Sequence, residues 1–115
     1  MEWHDIQRLE HIADYCRDIE SAVLRFGSDY DIFFSDKDYH DVVTFRIFQI
    51  GELTGKLSEE LRAKTTDRIN WQQIKAMRNI IAHNYGSVKL EIVWSVVTED
   101  IPKLKAFCEE LLSSD

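Results

Sequence analysis

Four side chains near residue 80 hold the chemistry that this sequence offers. The run Met77-Arg78-Asn79-Ile80-Ile81-Ala82-His83-Asn84-Tyr85 contains an arginine, an asparagine, a histidine and a tyrosine within eight positions. Arginine presents a permanent charge and a planar fork of donors that matches phosphate or carboxylate oxygens. Histidine exchanges a proton near neutral pH. Such a pair suits acid–base chemistry on an anionic substrate, with imidazole moving the proton and guanidinium stabilising the charge that builds up in the transition state. An asparagine beside the arginine could orient a phosphate or the imidazole.

The spacing says how these groups would be presented. A helix is expected from Trp71 to about Asn84, turning about 100° per residue. Trp71, Ile74, Ile81, Ala82 and Tyr85 then fall within about 60° of Arg78 and form an apolar stripe with Arg78 in its middle. An arginine aimed at a core is costly unless it is paired. Glu52, in the preceding long helix, is the expected partner. Asn79 and His83 lie on another face, one turn apart, where they can reach a common ligand. Arg78 and His83 are about 140° apart on an ideal helix. For them to act together, the helix must loosen before Gly86 or a second subunit must complete the site. Each residue also has a purely structural reading. Arg78 could bond a buried acid, and His83 could be a solvated imidazole favoured by the helix C-terminus. Tyr85 could be a core aromatic whose ring packs while its hydroxyl stays in water.

Charge distribution draws attention to the same segment. The chain carries a net charge of −7, which argues against a protein that coats nucleic acid indiscriminately. The 23 residues from Arg68 to Leu90 nevertheless contain Arg68, Lys75, Arg78 and Lys89 and no acid. The segment is either a polar helix face or an anion site.

The elements that must position these groups are helices. One proline and four glycines in 115 residues are too few for the turns of an all-β domain, and the length suits a single domain over residues 1–115. Ile6, Leu9, Ile12, Cys16, Ile19, Val23 and Phe26 recur at steps of three and four, predicting a helix from Trp3 to Phe26 with Gly27 as its stop. Residues 27 to 35 read as an acidic, aromatic connector. Ser35 with Asp38 resembles a capping box that opens a second helix from Asp36 to Leu57, with Tyr39, Val42, Val43, Ile47, Ile50 and Leu53 among its buried positions. A short helix over Ser58 to Lys64 follows, and Asn70 with Gln73 caps the helix that carries Arg78. Ser87 is expected to open a last helical stretch through Val93 and Val97, bent near Pro102. The expected fold is all-α, an up-and-down bundle of four to six helices.

Other chemistries are excluded. His4 and His11 are seven residues apart with no completing cluster, so no metal site is expected. Gly51-Glu52-Leu53-Thr54-Gly55-Lys56-Leu57-Ser58 has the wrong spacing for a phosphate loop and Leu57 where a hydroxyl belongs. Cys16 and Cys108 read as small core residues. No apolar run approaches a membrane span, and the acidic N-terminus lacks a signal-like stretch, so the expected location is cytoplasmic with no membrane association.

The motif also resembles a known family. Arg78-x4-His83-x-Tyr85, with Asn79, is similar to the motif of HEPN domains of the HepT-like toxin group. Phe48-Gln49-Ile50-Gly51-Glu52 resembles the group's Ile-Gly-Glu segment. Asn70-Trp71 stands where the group commonly has Pro-Trp, and Trp94 and Asp100-Ile101-Pro102 fall where expected. The resemblance covers nearly the whole chain. It implies a HEPN fold and a metal-independent endoribonuclease toxin without a cofactor, acting on RNA as a homodimer with Arg78, Asn79 and His83 at a dimer cleft. RNA would supply its own nucleophile, the 2′-hydroxyl. The resemblance further implies a partner, a minimal nucleotidyltransferase antitoxin that transfers AMP from ATP to Tyr85. A non-catalytic HEPN subunit that binds a nucleotide or that partner is the alternative.

Overall fold

The computed structural model describes residues 1–114, and among them there is no β-strand. Seven α-helices follow in order: α1 (Trp3–Phe26), α2 (Tyr30–Ser35), α3 (Lys37–Thr54), α4 (Glu59–Lys64), α5 (Trp71–His83), α6 (Leu90–Ser95) and α7 (Ile101–Ser114). The all-α expectation holds. α1 packs on α3 and α7, and α3 packs on α5. Side-chain contacts give the directions. Asp5 meets Ser58 while Tyr39 meets Gly27, so α1 and α3 run antiparallel. Arg17 meets Glu109 while Glu20 meets Lys105, so α1 and α7 do too. Glu52 meets Arg78 while Asp41 meets Tyr85, which sets α5 antiparallel to α3.

The α1 stripe supplies the centre. Leu9, Ile12, Cys16 and Ile19 are fully buried against Val43, Ile47 and Ile50 of α3 and Leu104, Phe107 and Cys108 of α7. Both cysteines are free thiols in this core, where burial pushes Cys108 up to about 12 and makes it a packing residue. Asp5 is buried as well, because its carboxylate accepts from the Ser58 N–H at 2.9 Å and the Ser58 hydroxyl at 2.6 Å. That bond ties the start of α1 to the N-cap of α4.

Several boundaries differ from the sequence reading. Residues 27–35 are more than a connector: Gly27 takes φ +120°, Asp29 caps α2 by accepting from the Asp31 and Ile32 N–H groups, and Phe33 enters the core. Ser35 therefore closes α2 and cannot cap α3. Asp36 does so, accepting from Tyr39 N–H. α3 ends at Thr54, and Val42 is 46% exposed because it faces away from α1. Ser87 does not open α6. It sits in a 3₁₀ turn, Tyr85–Ser87, and α6 starts at Leu90. Pro102 causes no break: the helix widens into a π segment, Val96–Asp100, whose Val96 carbonyl takes the Ile101 N–H, and continues as α7.

Candidate functional site

α5 is anchored at its N-terminus. The Asn70 side chain accepts from Gln73 N–H, and the buried Trp71 indole donates to Thr65 Oγ1 at 3.0 Å while meeting Phe107 edge-on. With that end fixed, the C-terminal half presents Arg78, Asn79 and His83 in succession.

Arg78 lies at the rim of the core with 31% of its side chain exposed. Its Nε donates to Glu52 Oε1, the expected partner, and Nη1 donates to Asn79 Oδ1 at 3.0 Å. The guanidinium lies over the Phe48 ring, 5.6 Å from its centroid. Gly51 makes this approach possible. A Cβ there would stand 2.5 Å from Arg78 Cβ and 2.8 Å from Cγ, so only glycine lets α5 come so close to α3. The glycine and the acid next to it thus act together: one admits the arginine stem and the other holds its head.

His83 is exposed in the last residue of α5. The helix stays regular up to it. The break comes at Asn84, with φ −157° and ψ 75°, one residue too late to swing His83 round towards Arg78. The helix does loosen before Gly86, but only after His83, so the loosening does not by itself bring Arg78 and His83 together.

Tyr85 departs from the sequence reading. Lying beyond the helix, it is not on the apolar stripe. It is 44% exposed, and its hydroxyl donates to Asp41 Oδ1 on α3. Ala82, also assigned to that stripe, is exposed. Burial, reinforced by the neighbouring Asp41 carboxylate, pushes the Tyr85 phenol up to about 12. Asp41 is held in turn: Lys37 Nζ donates to Oδ2, and Lys37 followed by Tyr85 lowers the carboxyl below its ordinary value. Asp41 and Thr44 are the residues the sequence reading missed here. Their i, i+3 spacing on the first two turns of α3 was the signal available.

Half of the charge of the acid-free segment is met from outside it. Arg68 pairs with Glu110 at 2.6 Å and Arg78 with Glu52, while Lys75 and Lys89 form no ion pair among the described residues. An apolar cavity of about 100 Å³ lies near the start of α5, lined by Ile47, Ile69, Ile74, Met77 and Leu104, and none of Arg78, His83 or Tyr85 reaches it. His83 and Tyr85 are exposed, and the two helices that carry the candidate site also expose the apolar residues Val42 and Phe45 on α3 and Ile80 on α5. No cluster of metal-ligating side chains occurs among the described residues, and no helix is long and apolar enough to cross a membrane.

Comparison with known proteins shows the family of the chain. Residues 12–111 match the family described as Ribonuclease HepT-like. The chain belongs to the HepT-like family. A Methanocaldococcus jannaschii protein, named as a gamma-glutamylcyclotransferase and candidate RNase, is 37% identical over 95% of this chain, which spans only 43% of that relative. A candidate RNase of Caldanaerobacter subterraneus is 28% identical over 93% of both chains. A probable ribonuclease HepT of Thermococcus cleftensis is 29% identical over 85% of this chain and 93% of its own. No solved structure matches. As a HepT-like protein, the chain carries its Arg78-x4-His83-x-Tyr85 motif across the end of α5 and the following 3₁₀ turn, and its all-α bundle is consistent with the HEPN fold.

Proposed function

We propose that this HepT-like chain is a metal-independent endoribonuclease toxin, and that a partner nucleotidyltransferase silences it by transferring AMP to Tyr85. The supporting observation is the open C-terminal end of α5, where Arg78, Asn79 and His83 stand in succession with Ile80 exposed among them. An open face suits a polymer substrate better than a closed pocket would. In this reading His83 moves the proton of the 2′-hydroxyl, and Arg78 with Asn79 holds the phosphate as charge builds on it. Because α5 is regular through His83, the reading places Arg78 of one protomer near His83 of another, with Val42, Phe45 and Ile80 in the dimer contact. Sedimentation should then give twice the chain mass.

The test is cleavage of RNA by the purified chain in the presence of a chelator. Wild type should cut and His83→Ala should not; equal cutting by both rejects the assignment. The Arg78–Glu52 pair favours a second reading, in which Arg78 is structural and the chain is a non-cutting subunit that binds a nucleotide or the nucleotidyltransferase. An inactive wild type that still binds the nucleotidyltransferase would select it.

A further inference from the structure

The Tyr85 hydroxyl does not point freely into water. It is held against α3 by a residue 44 positions earlier in the chain, Asp41, whose Oδ1 accepts its proton. The other carboxylate oxygen is occupied by Lys37, and His40 Nε2 lies 3.8 Å from Oδ1. His40 Nδ1 lies 3.1 Å from the Phe33 carbonyl, which can only accept, so Nδ1 carries the hydrogen and Nε2 is the nitrogen left facing Asp41. One turn along α3, the Thr44 hydroxyl is fully buried beside the same phenol. A surface latch would need none of this. A tyrosine that must become a nucleophile needs a base within hydrogen-bond reach of its proton.

We propose that Asp41 is the general base for the modification of Tyr85, so that the chain itself supplies the group that activates its own acceptor hydroxyl. The inference rests on the AMP-transfer reading above. Tyr85 Oη attacks the α-phosphorus of ATP. The Oη–phosphorus bond forms, the bond from that phosphorus to the bridging oxygen of the β-phosphate breaks, and pyrophosphate leaves with the electron pair. The phenol proton passes to Asp41 Oδ1, which already accepts a hydrogen bond from it. A phenol pushed up to about 12 is a poor nucleophile on its own, so this transfer has much to contribute. The nucleotidyltransferase then needs to bring only ATP and its metal.

The experiment compares wild type, Asp41→Asn, Asp41→Glu and Tyr85→Phe. Each is incubated with ATP and a purified minimal nucleotidyltransferase of the kind proposed above as the partner, and followed by intact mass. Asparagine can still accept the phenol hydrogen bond and hold the ring, but it cannot take the proton. Asp41→Asn should be modified roughly 100-fold more slowly at pH 7. Its rate should climb by about tenfold per pH unit as phenolate replaces the missing base, whereas wild type stays nearly flat from pH 6.5 to 8.5. The titratable groups facing the carboxylate are Lys37, His40 and Tyr85, so the profile is repeated in His40→Gln, which removes the imidazole from the set. Asp41→Glu should recover part of the rate. If Asp41→Asn matches wild type in rate and pH profile while Tyr85→Phe is unmodified, the inference fails and the AMP-transfer reading stands. If wild type is unmodified, or Tyr85→Phe is modified equally, both fail. If Asp41→Asn does not fold by circular dichroism, Lys37→Ala decides. Removing the competing ammonium makes the carboxylate more basic and should speed modification several-fold; an unchanged or slower rate overturns the inference.

Discussion

α1 and α5 carry the same kind of apolar stripe, but the bundle treats them differently. α1 lies between α3 and α7, and Leu9, Ile12, Cys16 and Ile19 are each 1% exposed or less. α5 packs mainly on α3, so Trp71 and Ile81 are buried while Ile80 is half-exposed and Ala82 is open. Covering a stripe from two sides leaves its middle to apolar contacts. Covering it from one side leaves an edge where Arg78 can keep its stem in the core and its head within reach of solvent. Of these two helices, the one that does less for the core is the one that can present chemistry.

The comparison can be broken first at the level of stability. Ile12→Ala should destabilise the fold by about 2–5 kcal/mol, because the site is enclosed and cannot collapse. Ile80→Ala should cost no more than about 0.5 kcal/mol. Urea unfolding of the two variants measures the contrast directly, and similar losses would show that α5 is as well covered as α1.

Next in size is the effect on cleavage. Arg78→Ala and His83→Ala should each lower RNA cleavage by roughly 100-fold, about 2.7 kcal/mol of transition-state stabilisation, with the helical spectrum unchanged. An Arg78→Ala chain that is largely unfolded would mean that the Glu52 pair is structural and that the edge belongs to the core. Unaltered cleavage in both variants would remove these residues from the chemistry.

Gly51→Ala should fall between the two regions in its effects. The added methyl meets the Arg78 stem and must push α5 away from α3, which should cost about 1–3 kcal/mol. Cleavage should drop with it, since Arg78 loses its register against Glu52. Kinetics and thermal melting on the same preparation test whether the two losses travel together.

The smallest effect is expected at Asp100, on the π segment beside the apolar cavity. Desolvation raises its pKa above the ordinary carboxylate value. A native carboxyl that holds its proton more tightly than the unfolded one stabilises the fold at low pH, and that stability is lost as pH rises through the folded pKa. Asp100→Asn should therefore raise Tm at pH 7, by less than about 4 °C, and the advantage should vanish as pH falls below the unfolded carboxyl range, near pH 3. A lower Tm at pH 7 would show that the charged form has a partner.

The long helices, their order and the Arg78–Glu52 pair were legible from residue spacing. Apolar steps of three and four locate the body of α1, and an arginine in the middle of a stripe demands an acid from a neighbouring helix. Local chemistry also located the cap at Asn70. Short elements were harder to read. α2 has six residues and little periodicity, and it exists because Asp29 caps it and Phe33 is drawn into the aromatic cluster with Tyr39 and Trp94. Ser35 and Ser87 have the right side chains for caps but stand where the backbone is already committed to other turns.

The sequence by itself determined which residues are chemically capable, because residue type and helical period are local properties of the chain. Tertiary structure decided which of them meet. Gly51 against Arg78, Asp41 against Tyr85 and the burial of Thr44 beside that tyrosine all depend on how α3 and α5 cross. That crossing is set by side-chain packing over residues some 30 to 40 positions apart. The end of α5 at His83, which takes Tyr85 off the stripe and gives its hydroxyl to α3, has the same origin. A periodic pattern extrapolates the helix, and only the packed chain shows where the backbone leaves it.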